Sequence, residues 1–340
     1  MTAVATHIAR WDLDKTYLRT EFDSLRDILR TALERPDEKR TNPGASTLLR
    51  EMVRAGIRVH ILSGSPEQMR RRLEDKLRLD GITWDTFTLK PNLQNLLRLR
   101  FRAVRDQLGY KLPALMKARA AVGDGPEAAG ACRETLFGDD AEADAYVYSL
   151  YADIVAGRVT EDVLSQVLER GRVYDDVHVE TLEIARGIEP VDAVERILIH
   201  LEQQTPPDDF RTYGARVVPF YNYLQAAFVL HEDGRLAPGG VLRVAVELAT
   251  EHHFDGDALA RSYLDLARRG HLRGTRVDAI GVELDSWLTS GSVPASDELR
   301  TMTSRLAVLA ADARARWRER ETPLPDYLGL VLTHNARRHR

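Results

Sequence analysis

The stretch His7-Ile8-Ala9-Arg10-Trp11-Asp12-Leu13-Asp14-Lys15-Thr16 decides how the other residues of this 340-residue chain are read. Residues 7–11 read as a short strand running directly into Asp12. Asp12 and Asp14 stand two positions apart, so a continuing strand would point both carboxylates the same way. A turn at that point would aim them into the crevice at the carboxyl edge of an open α/β sheet. Taken alone, D-x-D-x-T is short enough to arise by chance, and ordinary turn chemistry with Thr16 capping a helix reads it equally well.

Working outward, the first half alternates short apolar runs with helical periodicity, the mark of α/β units and a parallel sheet. Asn42-Pro43-Gly44 opens a helix through Leu48, Leu49, Met52 and Val53 that Gly56 closes. A second strand spans 57–62, and the turn Ser63-Gly64-Ser65-Pro66 follows, with Pro66 suited to the first position of a helix. A weaker strand is expected over 84–89, a long helix over 93–108, and another over 112–122 with Pro113 in its first turn. Residues 134–137 form a further strand ending at Gly138-Asp139-Asp140, and a buried helix through Val147, Leu150, Tyr151, Ile154 and Val155 runs to Gly157.

Past Gly157 the strand signals nearly vanish. Val191, Val194, Ile197, Leu198 and Leu201 make an amphipathic stripe, and helices are expected over 220–230, 241–249, 258–267 and 299–317, the last capped by Ser296. The expected architecture is therefore a Rossmann-like parallel sheet in residues 1–160, followed by an all-α part in residues 161–340. That part forms either a separate domain or a helical layer on the first.

Composition narrows the function classes. Hydrophobic residues at 44% and charged residues at 29% match globular proteins and argue against disorder. A net charge of −4 supplies no basic field for nucleic acid. Arg70-Arg71-Arg72 and the basic runs at 98–105 and 336–340 read as solvated surface. Cys132 is the only cysteine, which excludes an intrachain disulfide and a Cys-rich zinc site, and it reads as a small buried residue. The first residues do not read as a secretory leader, and the apolar run 217–230 is too short for a bilayer span, so a soluble cytoplasmic protein is expected.

Competing motifs fail. The G-x-G-x-x-A at 123–128 contains Pro126, no phosphate-loop consensus occurs, and His252-His253 lacks zinc-protease spacing. Trp287, Trp317 and the aromatics at 220–223 read as packing residues.

Four segments could meet at one sheet edge. They are the Asp12/Asp14 pair, the hydroxyls and exposed N–H groups of Ser63-Gly64-Ser65, Lys111, and the acidic run Gly138-Asp139-Asp140-Ala141-Glu142-Ala143-Asp144. Each has a plain reading as well: a turn, a helix-entry loop, a solvated lysine and an acid-rich helix start. Their order resembles the four motifs of the haloacid dehalogenase-like phosphohydrolases. Within that superfamily, the run GDDAEADAYVYSLY at 138–151 most resembles the catalytic domain of the actin-patch-type phosphatidate phosphatases. The resemblance covers roughly the first 160 residues. It departs at Lys15, where those lipid enzymes carry a third aspartate, and at Gly64, where they carry asparagine.

The resemblance implies a Mg²⁺-dependent phosphomonoester hydrolase working through an aspartyl-phosphate. It makes Asp12 the nucleophile and Asp14 the acid and base, with Thr16, Ser63, Gly64 and Lys111 binding phosphate. Asp12, the Asp14 carbonyl, Asp139 and Asp140 would hold the metal, and Asp140 or Asp144 would hold a metal-bound water or orient Lys111. The expected substrate is phosphorylated, a small molecule or a lipid head group such as phosphatidate. Two alternatives stay open: a catalytically weak binding or regulatory module, motivated by Lys15 beside Asp14, and phosphoryl transfer to an acceptor other than water.

Overall fold

A computed structural model describes residues 6–18, 41–90, 104–124, 132–319 and 322–336. Six strands form one all-parallel sheet: β1 (His7–Trp11), β2 (Arg58–Pro66), β3 (Thr86–Lys90), β4 (Arg133–Asp139), β5 (Val194–His200) and β6 (Val217–Phe220). Their order is β3-β2-β1-β4-β5-β6. This is the doubly wound, Rossmann-like arrangement, in which strand order reverses direction between β1 and β4.

Helices cover both faces. α1 (Ala45–Arg54), α2 (Arg70–Leu79), α3 (Val104–Ala120), α4 (Asp144–Val155), α5 (Glu161–Arg170) and α6 (Asp175–Arg186) precede β5. α7 (Tyr223–Glu232), α8 (Pro238–His252), α9 (Gly256–Arg268), α10 (Asp278–Ser290), α11 (Ser296–Arg316) and α12 (Tyr327–Ala336) follow β6. One core joins Ala9, Trp11, Val59 and Ile61 to α1, α2 and α7 through α11; the other joins Leu136, Ile197 and Ile199 to α3 through α5 and to α12. Alternation along β1 explains the division, since neighbouring side chains face opposite layers. Trp11 lies stacked 3.8 Å from Phe137, with Tyr223 of α7 6.0 Å away. Among the described residues no helix is long and apolar enough to cross a membrane.

β1, β3, β4 and α1 fall within a few residues of where the sequence places them, and Gly44, at φ 83°, supplies the left-handed entry into α1. Several expectations need correction. Residues 63–66 extend β2 rather than forming a turn, with Pro66 pairing with Lys90 after a register shift; helical structure does begin right after Pro66, as a 3-10 turn at Glu67–Met69 that leads into α2. Lys111 and Pro113 lie inside one helix, α3, which continues past Pro113 although an interior proline removes one backbone hydrogen bond. The 93–103 part of the other expected helix, most of the 123–128 motif and most of the basic runs at 98–105 and 336–340 lie outside the described residues. Ala295, in the left-handed region at φ 53°, precedes α11, and Ser296 is its first helical residue rather than its cap.

The largest correction concerns the second half, which is not all-α. Residues 194–200 pair with β4 as β5, and 217–220 pair with β5 as β6. The stripe at 194, 197, 198 and 201 satisfies a helical period, but Ile197-Leu198-Ile199 is equally a strand buried on both faces. Sheet pairing decides between them. The sheet thus crosses residue 160, and helices from the second half cover one of its faces.

Two histidines sit in the sheet and are almost fully buried. His7 Nε2 meets Thr135 Oγ1 at 2.9 Å, while neither ring nitrogen of His60 has a hydrogen-bond partner among the described residues. Burial lowers both from about 6.5 to about 4, with Arg235 adding to the effect at His7 and Arg10 at His60. The unfolded imidazoles therefore take up protons before the folded ones, and stability present above pH 6.5 declines as pH falls toward 4. Urea midpoints should drop between pH 7.5 and pH 5 by an amount equivalent to a few kcal/mol, and His60→Gln should flatten part of that slope. The raised carboxyls of the buried acidic cluster act with the opposite sign, so the difference between wild type and His60→Gln isolates the histidine: a slope unchanged by His60→Gln would contradict the assignment.

Candidate metal and phosphoryl site

β1 and β4 are neighbours at the point where the strand order reverses, and both carry carboxylates at their carboxyl ends. The Asp12 N–H donates to the Phe137 carbonyl at 3.0 Å, extending the ladder one residue beyond β1. That bond places Asp12 beside Asp139, the last residue of β4. The chain then turns through 140–143 into α4, whose first residue, Asp144, folds back so that its Oδ2 accepts the Asp139 N–H at 3.2 Å. Gly138 makes the close approach possible: a Cβ there would stand 2.7 Å from Asp144 Cβ. Oxygens of Asp12, Asp139 and Asp144 consequently lie within 4.8 Å of one another, and all three residues are buried.

Lys111, buried in α3, is the counter-ion. Its Nζ stands 2.6 Å from Asp144 Oδ1, 3.0 Å from Glu142 Oε2 and 3.3 Å from Asp12 Oδ2. Three carboxylates share one ammonium, and Asp139 lies beside them. Burial pushes the Asp12, Asp139 and Asp144 carboxyls above their ordinary range. Asp144 adds repulsion at Asp12 and Asp139, whereas Lys111 opposes the shift in all three. Burial alone would lower Lys111, but Asp12, Asp144 and Glu142 reverse that and hold it firmly protonated. Neither Asp12 oxygen accepts a hydrogen bond among the described residues, although both are buried.

The Asp14 carboxylate turns elsewhere. Its Oδ2 accepts from Ser63 Oγ at 2.9 Å and from Ser65 Oγ at 2.8 Å, while Ser63 Oγ also takes the Ser65 N–H at 3.0 Å. Tyr110 in α3 donates to the Ser63 carbonyl at 2.9 Å. A Cβ on Gly64 would meet nothing within 4 Å, so the backbone there borders open space. Lys15 takes the left-handed conformation at φ 59°. Asn42 Nδ2 donates to the Lys15 and Thr16 carbonyls at 3.1 and 2.8 Å, and the Tyr223 hydroxyl also donates to the Thr16 carbonyl.

Of the residues singled out in the sequence, Asp12, Asp139, Asp144 and Lys111 come together. Others are held by contacts outside that cluster. Asp140 is outside the cluster, because its Oδ1 and Oδ2 accept the Gln203 and Thr205 N–H groups at 2.8 and 2.9 Å and pin the loop after β5. The Asp14 carbonyl, expected on the metal, accepts the Thr16 N–H at 2.7 Å, and the Asp14 side chain binds serines. Thr16 is fully buried, and its hydroxyl leans toward Asp139 Oδ2 at 3.4 Å rather than toward an open phosphate position. Glu142 and Ser65 were visible in the motifs, yet their contacts were not. Asn42 and Tyr223 had no signal, since residues far apart in the chain hold the turn through backbone carbonyls.

The three-carboxylate cluster offers only oxygen donors, and a buried carboxylate without a hydrogen-bond donor is costly unless a cation or a proton meets it. These residues fit a hard divalent ion such as Mg²⁺. Titrating Mg²⁺ into metal-stripped protein should raise thermal stability, by about 2.7 kcal/mol at a hundredfold excess over the dissociation constant. Asp139→Asn should remove most of that rise, and an identical rise in both proteins would place the ion elsewhere. A second group, Glu247, Glu251 and His252, lies at the end of α8 and is more exposed. There Glu247 Oε1 accepts the Gly44 N–H at 2.8 Å, and His253 ends the helix at φ 57°.

The chain matches no known family, no curated protein and no solved structure.

Proposed function

We propose that the protein is a Mg²⁺-dependent phosphomonoesterase of the haloacid dehalogenase-like kind, acting through a phosphorylated Asp12. The observation that carries this reading is the meeting of Asp12, Asp139, Asp144 and Lys111 at the switch point of the sheet, with the buried Asp12 carboxylate paired to Lys111 but accepting no hydrogen bond among the described residues.

A phosphate monoester resists nucleophiles because its oxygens repel them, so a site must neutralise charge and fix reactants in line. Asp12, Asp139 and Asp144 would hold the ion, which when bound would offset the charge on the phosphoryl oxygens. In the first step an Asp12 oxygen attacks phosphorus and the ester P–O bond breaks. The Asp14 carboxyl, oriented by Ser63 and Ser65, gives its proton to the departing alcohol oxygen. In the second step Asp14 takes a proton from the water that attacks the acyl phosphate, and Asp12 and inorganic phosphate are released. Lys111 stays charged throughout and stabilises negative charge as it builds.

Purified protein should hydrolyse an aryl phosphate with Mg²⁺ and cease when the metal is chelated. A panel of soluble esters together with phosphatidate vesicles separates soluble from lipid substrates. Metal binding without turnover of any ester would assign a non-hydrolytic binding module instead.

A further inference from the structure

Glu142 borders more than the lysine. It also walls a cavity of about 120 Å³ with Asp140, Asp209, Tyr146, Phe210 and Tyr213. The 3-10 turn Pro207–Tyr213 supplies Asp209, Phe210 and Tyr213, and α4 supplies Tyr146. The Gln203 and Thr205 N–H groups fix Asp140, and Lys111 and Gln107 fix Glu142, so two of the three carboxylates are held in place. Among the described residues no lysine or arginine lines the cavity. His334, also in the wall, is tied to the Tyr213 hydroxyl at 3.2 Å.

Carboxylates combined with aromatic rings suit an ammonium group, which gains both Coulomb attraction and the field of the rings. The same wall repels a second phosphate or a carboxylate. The volume is of the size that one small head group needs. Because Glu142 belongs both to this wall and to the shell of Lys111, the cavity adjoins the phosphoryl site.

We infer that the cavity receives the cationic end of the leaving group, so that the substrates are phosphomonoesters of small amino alcohols. The inference rests on the phosphatase reading. Asp12 would take the phosphoryl group, the ester P–O bond would break, and the amino alcohol would leave with the proton from Asp14.

The test compares phosphocholine with 3,3-dimethylbutyl phosphate, its neutral isostere, in the presence of Mg²⁺. Phosphocholine should have a kcat/KM at least about tenfold higher, and Asp209→Asn should shrink that ratio severalfold. Equal rates, or a preference for the neutral ester, would overturn the inference while leaving the phosphatase reading intact. Should no ester turn over, the phosphatase reading fails, and choline alone then decides the cavity by calorimetric titration. Saturable binding of choline, absent for 3,3-dimethylbutanol and weakened by Asp209→Asn, would support a cation pocket; no binding would overturn it. Asp209 is exposed, so its substitution should leave the fold intact, which circular dichroism checks.

Discussion

Asp12→Asn is expected to abolish phosphate-ester hydrolysis, lowering kcat by about 10⁴-fold or more, which corresponds to about 5 kcal/mol of barrier. The substitution keeps the size of the side chain but replaces a nucleophilic oxygen with an amide. Its effect on stability should have the opposite sign. Asp12 is one of three carboxylates paired with Lys111, with Asp139 close by, and its burial raises its pKa despite the lysine. Neutralising it relieves repulsion, so the metal-free variant should unfold at a higher temperature, by an amount equivalent to about 1 kcal/mol. Activity assays and thermal melts without metal check both signs. Retained turnover would remove Asp12 from the reaction; a lower melting temperature would show that its charge is compensated in the native state.

Glu134→Ala should be the most damaging substitution away from the site. On the face of the sheet that α3 and α4 cover, the Glu134 carboxylate accepts from Arg10 Nε at 2.7 Å and Nη2 at 2.8 Å. It also accepts from Arg119 Nη1 at 3.2 Å and from the Tyr151 hydroxyl at 2.8 Å. Burial would raise the Glu134 carboxyl, but the two guanidiniums and the hydrogen bonds outweigh it and hold the pKa at about 2. Alanine leaves Arg10 and Arg119 buried without that anion, and an arginine does not escape by losing its proton. The expected cost is about 3–5 kcal/mol in urea unfolding. A variant that replaces Arg10, Arg119 and Glu134 together with apolar residues of similar volume should cost far less, because no charge is stranded. In the native protein the carboxylate contribution is complete above pH 4.5 and is lost as pH falls toward 2, the sign expected for a depressed acid. A loss below 1 kcal/mol for Glu134→Ala would show that water reaches the arginines.

Local signals explain which parts of the fold were legible. β1 announces itself by an apolar run that stops at Asp12, and α1 by its Asn-Pro-Gly entry and its periodic leucines. β5 was misread because 194, 197, 198 and 201 satisfy a helical spacing, and only the open edge of β4 makes the strand the better partner. The acidic run showed the same limit. Asp139, Asp140, Glu142 and Asp144 are alike as residues. The turn into α4 sends Asp139 and Asp144 inward and Glu142 to Lys111, and directs Asp140 to the amides at 203 and 205.

The sequence by itself determined the residue types and their order: a strand ending in Asp12, hydroxyls at 63 and 65, a lysine at 111 and a glycine before Asp139. These are local chemical choices, fixed by what each short segment can do alone. Tertiary structure alone decided which acids share the buried cluster, that residues 194–200 and 217–220 complete the sheet, and that Tyr223 steadies the turn after Asp14. The reason is distance along the chain: those contacts join segments tens to hundreds of residues apart, and their energies depend on burial and pairing that no single segment encodes.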